Sequence, residues 1–467
     1  MKTVFFSLST SAVFRNLFFF PGSVCDRLDE LLRRSAAVRV VLLIPEEHRH
    51  KYHEFLTARK SDRFMVEYVS VPLARGILQR MFYFFYSYLI YTGTTYVLAT
   101  LGLRPDEPPA GGRRYLAPIK RGIAGVFGRS RWIKTVFVPW WYHRIFSERP
   151  FSPLFRRWRP ILVFAPHIYG QFDTRLLAEA ARRGVKTVGM AAGWDHLDKY
   201  FLPFRADMLL AQSNHMRDMA IRHQCYSPER VRLVGYPHFD FIVDPRYAVR
   251  REELLQSLSL PSGAKILLYV SASAYCPDEP EVIEKILEWI ESKALDPEMY
   301  LVIRPYLGGR SADREFDRKK FERFEERRRV RFYKREAWGD LEKSIQFMNI
   351  LRHTDVMISI FTTAMLEAAV FDVPLVTTLF DGTKSRPLHR SVKRFALSEH
   401  FKDALATGAV KITYSFDELS RAIRAYLGNP RIDREKREAL RSKLLWRLDG
   451  RASERIIQAI RQALAAP

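Results

Sequence analysis

The residues best suited to chemistry lie in one stretch, Asp355 to Gly382, which reads DVMISIFTTAMLEAAVFDVPLVTTLFDG. The apolar run ending at Ser359 predicts a buried strand, Phe361-Thr362-Thr363 a small polar turn, and the segment from Ala364 a helix. A strand that turns into a helix in this way presents backbone N–H groups and two hydroxyls at a helix N-terminus, a cradle for phosphate oxygens. Glu367 follows one helical turn later, where its carboxylate can accept hydrogen bonds from ribose hydroxyls. The bland alternative is that the two threonines cap the helix and Glu367 faces water.

A transfer reaction also needs a base for the attacking hydroxyl and positive charge or N–H groups for the leaving diphosphate. His167 ends the apolar run PILVFAPH, and Asp195 and His196 follow the next run, VKTVGMAA. Ligands of open parallel sheets bind outside the carboxyl ends of the strands, where all three fall. Asp195 is the preferred base, with His167 next; a single His at a strand end can equally serve a loop hydrogen bond. No DxD pair falls at a strand end and no ligand set is spaced for a metal, so catalysis without a bound metal is expected.

These residues need a scaffold, and the chain supplies the pattern of one. At 467 residues it exceeds what one core usually supports. Short apolar runs alternate with helical patterns from KTVFFSL through VRLVGYP, and again from KILLYVSAS through PLVTTLF, which predicts two doubly wound α/β domains. Their expected extents are 1–240 and 255–430, with a linker punctuated by Pro237, Pro245 and Pro261 and a charged helical tail over 431–467. The first domain carries a basic, aromatic-rich insertion over about 79–150.

Within that insertion, residues 81–103 run without a charge for long enough to cross a bilayer. Their tyrosines, threonines and Gly93 leave three readings open: a spanning helix, a buried helix, or a surface facing a membrane. The next stretch, RYLAPIKRGIAGVFGRSRWIKTVFVPWWYHRIF, interleaves cations with Trp, Tyr and Phe. It suits an anionic lipid interface, or else a helical hairpin with aromatics inside and cations solvated.

Lys and Arg number 76 against 52 Asp and Glu, a net charge of +24. Such an excess favours phosphate-bearing partners, whether nucleic acid, anionic membrane or nucleotide diphosphate, although a basic proteome would also produce it. Nothing matches a helix-turn-helix, an RNA-recognition or an OB-type signature, so nucleic acid is not an expected partner. Cys25, Cys225 and Cys276 show no disulfide or zinc spacing, which fits a reducing cytoplasm. Met1 to Phe20 lacks a small-residue cleavage site and is interrupted by Arg15, so it reads as a first strand and turn rather than a signal peptide.

The pattern around Thr362, Thr363 and Glu367, with Pro374 closing it, resembles the donor-site signature of GT-B glycosyltransferases, closest to CDP-glycerol glycerophosphotransferase-like and capsular or surface-polysaccharide transferases. The resemblance implies two Rossmann-like domains facing a central cleft. It also implies a nucleotide-diphosphate sugar as donor substrate with no other cofactor, and a glycan or lipid-linked acceptor. Thr362 and Thr363 would bind the donor diphosphate and Glu367 the ribose, with Ser359 at the strand end beside them.

Tyr269-Val270-Ser271-Ala272-Ser273 stands where relatives have the first-strand loop of the donor domain, which places Ser271 and Ser273 with the donor. Arg304-Pro305-Tyr306 stands where relatives carry Arg-Pro-His-Pro; Arg304 could fork onto a phosphate, while Tyr306 departs from the pattern. Gly193-Trp194-Asp195-His196 resembles a W-D-N segment, and Val234 to Asp240 the element that closes the first domain. Ser7 to Ser11 resembles the first-strand loop without its usual glycine-rich turn. The expected location is the cytoplasm, peripheral at the inner face of the cell membrane. A UDP-sugar 2-epimerase of the same fold is the alternative.

Overall fold

The computed structural model describes residues 1–34, 37–59, 61–72, 74, 76–101, 116–272, 275–306, 318–333 and 340–465. The chain forms two compact units, the first made of residues 1–91, 120–243 and 446–467, the second of 92–119 and 244–445.

The first unit is built on β1 (Lys2–Ser7), β2 (Val38–Pro45), β3 (Phe64–Val69), β4 (Leu162–Ala165), β5 (Lys186–Met190), β6 (Met208–Ala211) and β7 (Val231–Leu233). They form one seven-stranded sheet in the order β3-β2-β1-β4-β5-β6-β7, parallel throughout. The central strands are apolar on both faces, as a sheet covered by helices on both sides requires. On one face Phe6, Leu42, Phe164 and Met190 pack with Leu28 and Leu32 of the helix Val24–Arg34 and with Ile456, Ile460 and Leu464 of the helix Ala452–Ala465. On the other, Phe5, Val41 and Val163 meet Phe151, Phe155, Phe172 and Leu176.

The second unit carries β8 (Lys265–Val270), β9 (Met299–Arg304), β10 (Val330–Phe332), β11 (Val356–Ser359), β12 (Leu375–Thr378) and β13 (Val410–Thr413). Its six-stranded sheet has the order β10-β9-β8-β11-β12-β13, also parallel. In both sheets the strand order reverses beside the first strand, between β1 and β4 and between β8 and β11. Those are the switch points where open α/β sheets bind ligands.

The partition departs from the sequence reading in two places, because tertiary contacts rather than sequence adjacency decide which unit a segment joins. The tail does not stand apart: residues 446–467 complete the first unit. Asp240 accepts from the N–H groups of Ala452 and Ser453 at 2.9 and 2.7 Å, supplying the acceptor that the start of the last helix needs. The insertion is likewise divided, residues 92–119 belonging to the second unit.

No helix among the described residues is long and apolar enough to cross a membrane. The uncharged run is broken into the helices Ile77–Ser87 and Gly93–Thr100. Gly93 packs so closely on the carbonyl of Leu397 that a Cβ there would overlap it.

Candidate active site

In the second unit the register sets Arg304, Val270, Ser359 and Thr377 in one row across β9, β8, β11 and β12. Arg304 and Ser359 therefore end the two strands that flank β8, Ser359 at the switch point and Arg304 one strand away. After Ser359 the chain turns through Phe361, which sits in the left-handed region at φ 46° with its ring against Phe401 at 4.7 Å. A non-glycine residue held there stores strain, of the kind found at ligand-binding turns. The helix Ala364–Val370 starts immediately afterwards, with Thr363 as its N-cap residue and no capping bond from the Thr363 side chain.

Thr362, Thr363 and Glu367 are thus grouped with Arg304. The Thr362 Oγ1 is buried without a hydrogen-bond partner, which is costly unless a ligand or water completes it. Arg304 Nη1 lies 3.8 Å from Glu367 Oε2 and its guanidinium stacks on Phe347 at 4.0 Å. Among the described residues Glu367 is its only charged partner, and 3.8 Å is too long for a hydrogen bond. The planar fork is held in place by Phe347 with its donors available for an anion. Glu367 is buried rather than solvated, contrary to the bland reading.

Ser271 follows β8, but its hydroxyl is turned inward: it donates to Glu279 Oε2 at 3.0 Å. Glu279, 1 % exposed, also accepts from the Ala272 N–H at 2.8 Å, the Tyr269 hydroxyl at 3.3 Å and the Lys320 ammonium at 2.8 Å. The Ser271 side chain therefore fixes the loop after β8. Ser273 lies outside the described residues.

In the first unit a second polar group forms where β1, β4 and β5 end. Ser7 donates to Asp173, which is 0 % exposed and lies in the first turn of the helix Gln171–Arg182. Asp173 Oδ2 and His167 Nδ1 are 3.9 Å apart, and neither has a hydrogen-bond partner. His196 accepts from the Gly193 N–H at Nδ1, 2.9 Å away, so its Nε2 carries the proton and faces the Tyr169 hydroxyl at 3.0 Å. Asp195 pairs with Lys199 and lies 3.6 Å from His196 Nε2. Burial pulls the Lys199 ammonium down, but the Asp195 charge and hydrogen bond outweigh it and the net direction is up.

His167, Asp195 and His196 are therefore brought together, the two histidine rings lying 6.2 Å apart. Asp173, Tyr169 and Lys199 were not anticipated as members of this group. A signal for Asp173 does exist in the sequence: it falls three and four residues before Leu176 and Leu177 and seven before Ala180, a carboxylate on the apolar face of its helix. Among the described residues no group of three or more His, Cys, Asp or Glu is placed to hold a metal ion.

Burial pushes the Asp173 carboxyl up from 3.8 to about 7, against the opposing hydrogen bond from Ser7. Burial, with a further contribution from His196, pushes His167 down from 6.5 to about 3. Asp173 holds its proton more tightly folded than unfolded, so its contribution to stability is full below about pH 4 and is lost as pH rises through about 7. For His167 the sign is opposite: stability is lost as pH falls below its unfolded value. The two slopes oppose each other between about pH 4 and 6.5. Asp173→Asn removes only the falling slope. The variant is expected to gain stability relative to the unsubstituted protein between about pH 5 and pH 8, read from urea midpoints; an unchanged difference would refute the buried-acid assignment.

No protein-family model matches the chain, and no curated protein sequence matches it. Solved structures do. Over 99 % of this chain and 97 % of that one, it is similar to a putative UDP-N-acetylglucosamine 2-epimerase from Listeria monocytogenes, at 13 % identity and TM-score 0.54. The S. aureus MnaA–UDP co-structure aligns over 100 % and 97 %, at 13 % identity and TM-score 0.52. A glycosyltransferase from Rickettsia africae aligns over 100 % and 99 %, at 8 % identity and TM-score 0.52. The fold is GT-B.

At such identities the likeness reaches the backbone and no further. In one unit Arg304, Ser359, Thr362 and Glu367 follow or end β9 and β11, and in the other His167, Asp173, Asp195 and His196 follow β4 and β5.

Proposed function

We propose that this GT-B protein is a nucleotide-sugar-dependent transferase. Its second unit binds the donor diphosphate, and its first unit deprotonates a hydroxyl of a cell-surface glycan or lipid-linked acceptor. The observation that carries the reading is the buried, unpartnered Thr362 hydroxyl on the strand-to-helix turn, in the group that holds the Arg304–Glu367 pair. Arg304 and Thr362 take the diphosphate oxygens, with Thr363 and the N–H groups of the turn, and Glu367 accepts from the ribose.

In the first unit Asp195 is the preferred base. Its pairing with Lys199 keeps a proton donor against it, and His167, held neutral by burial, is the next candidate. The acceptor belongs to the inner face of the cell membrane, and the protein works there as a peripheral enzyme.

A ligand bound only by the folded state raises the melting temperature. In a thermal-shift screen of nucleotide diphosphates and their sugar conjugates, at about a hundredfold above Kd, one nucleotide class is expected to stabilise by about 2.7 kcal/mol. No response to any of them would remove the donor reading. A 2-epimerase is the second reading, favoured by the Listeria monocytogenes neighbour, which is described as a putative UDP-N-acetylglucosamine 2-epimerase. Release of UDP and N-acetylmannosamine from UDP-N-acetylglucosamine, with no acceptor present, would decide for it.

A further inference from the structure

The basic aromatic segment departs from the expected hairpin in part: Val138, Tyr142 and Phe146 are buried and most of its arginines are exposed. Two of its cations, Lys120 and Lys134, are buried, one over the Tyr88 ring at 4.9 Å and the other donating to the His223 carbonyl at 3.3 Å. Several of its large apolar side chains, among them Val126, Trp132, Val136 and Trp140, stand outside. On the helix Ile77–Ser87, Ile77 and Met81 are 74 % and 64 % exposed, and Phe84 continues the same face at the i, i+4, i+7 spacing. Across Ile133–Phe137 and Val138–Ile145, Trp132, Val136 and Trp140 follow at intervals of four, each about half exposed or more.

These faces are continuous. The Phe85 ring lies 5.5 Å from Phe127, at the end of the helix Ala117–Phe127, and 6.4 Å from Phe137. Phe137 in turn reaches Trp132 and Trp141 at 6.0 and 6.1 Å, and Trp141 meets Trp140 at 5.4 Å. Arg80, Arg129, Arg131 and Arg144 are exposed among them, and Arg144 stacks on Trp140 at 3.5 Å. No acidic residue occurs from residue 116 to residue 147.

We infer that these three helices of the first unit are a monotopic docking surface for an anionic lipid bilayer, with the apolar stripes among the acyl chains and the arginines at the phosphates. A protein partner would leave cations without a matching charge unless it were strongly acidic. A second copy of the chain would set arginine against arginine. An anionic interface satisfies both halves of the surface together: Trp and Arg are the side chains that settle at the boundary between hydrocarbon and headgroup. The inference deepens the peripheral-membrane part of the proposed function and rests on it, but involves none of the donor residues.

The test uses the full chain and sedimented vesicles. Binding is expected to phosphatidylcholine vesicles containing phosphatidylglycerol, to be much weaker to phosphatidylcholine alone, and to fall with salt. Met81→Ser combined with Val136→Ser and Trp140→Ser is expected to weaken partitioning by about tenfold or more. Arg129→Gln and Arg131→Gln are expected to lower it about fivefold each, on anionic vesicles only. Ile161→Ser, on an exposed apolar residue at the entry to β4, is the control and leaves binding unchanged.

Quenching of tryptophan fluorescence by brominated acyl chains, lost when Trp132→Phe is combined with Trp140→Phe, reports insertion of those two rings. Vesicle binding that is absent, or indifferent to both sets of variants, overturns the inference. So does a dimer in solution that the Met81, Val136 and Trp140 changes dissolve while vesicles bind nothing. The nucleotide-induced thermal shift, measured on the same variants, stays intact if only the docking surface has failed and is missing throughout if the donor reading is the one at fault.

Discussion

Arg304→Ala is expected to lower kcat/KM for the donor by about 100- to 1,000-fold, or about 3–4 kcal/mol, the usual cost of removing a positioned donor to a developing anion. The size follows from the pre-organisation of the side chain. Phe347 supports one face of the guanidinium at 4.0 Å, so its planar fork loses little freedom when a diphosphate arrives. Its one described carboxylate partner, Glu367, is 3.8 Å away and does not saturate it. Arg304→Lys keeps the charge but not the fork, and should recover only part of the loss. Donor titration by calorimetry separates the outcomes: a variant that binds nucleotide diphosphates as the unsubstituted protein does would exclude Arg304 from the donor site.

Glu279→Ala should strongly destabilise the second unit. It removes the acceptor of four donors together: the Ser271 hydroxyl, the Ala272 N–H, the Tyr269 hydroxyl and the Lys320 ammonium. Lys320 is itself buried, with 5 % of its side chain exposed, and its ammonium loses the carboxylate 2.8 Å away. Breaking such a pair costs about 3–5 kcal/mol, whereas replacing both partners by apolar groups can cost little. Denaturant midpoints for Glu279→Ala and for Glu279→Ala combined with Lys320→Met test this. The double variant should be the more stable of the two; equal midpoints would mean that the ammonium reaches water in the single variant.

The strands were legible because burial on both faces leaves near-continuous apolar runs, as in VRVVLLIP and KILLYV. The turn at Thr362 was legible for a related reason: small polar residues between an apolar strand and an amphipathic helix have few other uses. β13 escaped, since in VKIT only Val410 and Thr413 are buried and an edge strand of that length carries little pattern.

Asp173 and Glu279 escaped for a deeper reason. A carboxylate in a helix's first turn has the same one-dimensional signature whether it faces water or is sealed against Ser7 or Lys320, and only the packing tells them apart. The inward turn of Ser271 follows from Glu279 eight residues later, a pairing that spacing alone does not announce. The interleaved cations and aromatics flagged the insertion correctly as unusual. Which of them would be buried was beyond the sequence, because Lys120 and Lys134 lie at the same kind of helical spacing as the arginines that stay outside.

The last helix, Ala452–Ala465, contributes Ile456, Ile457, Ile460 and Leu464 to the interior that begins with Val4 and Phe6 of the first strand. During synthesis the first sheet, complete in sequence at Leu233, therefore lacks one covering layer until about 220 further residues have been translated. The second unit, residues 92–119 and 244–445, is translated before that helix. Until that helix is added, the apolar face it covers stays open in the nascent chain.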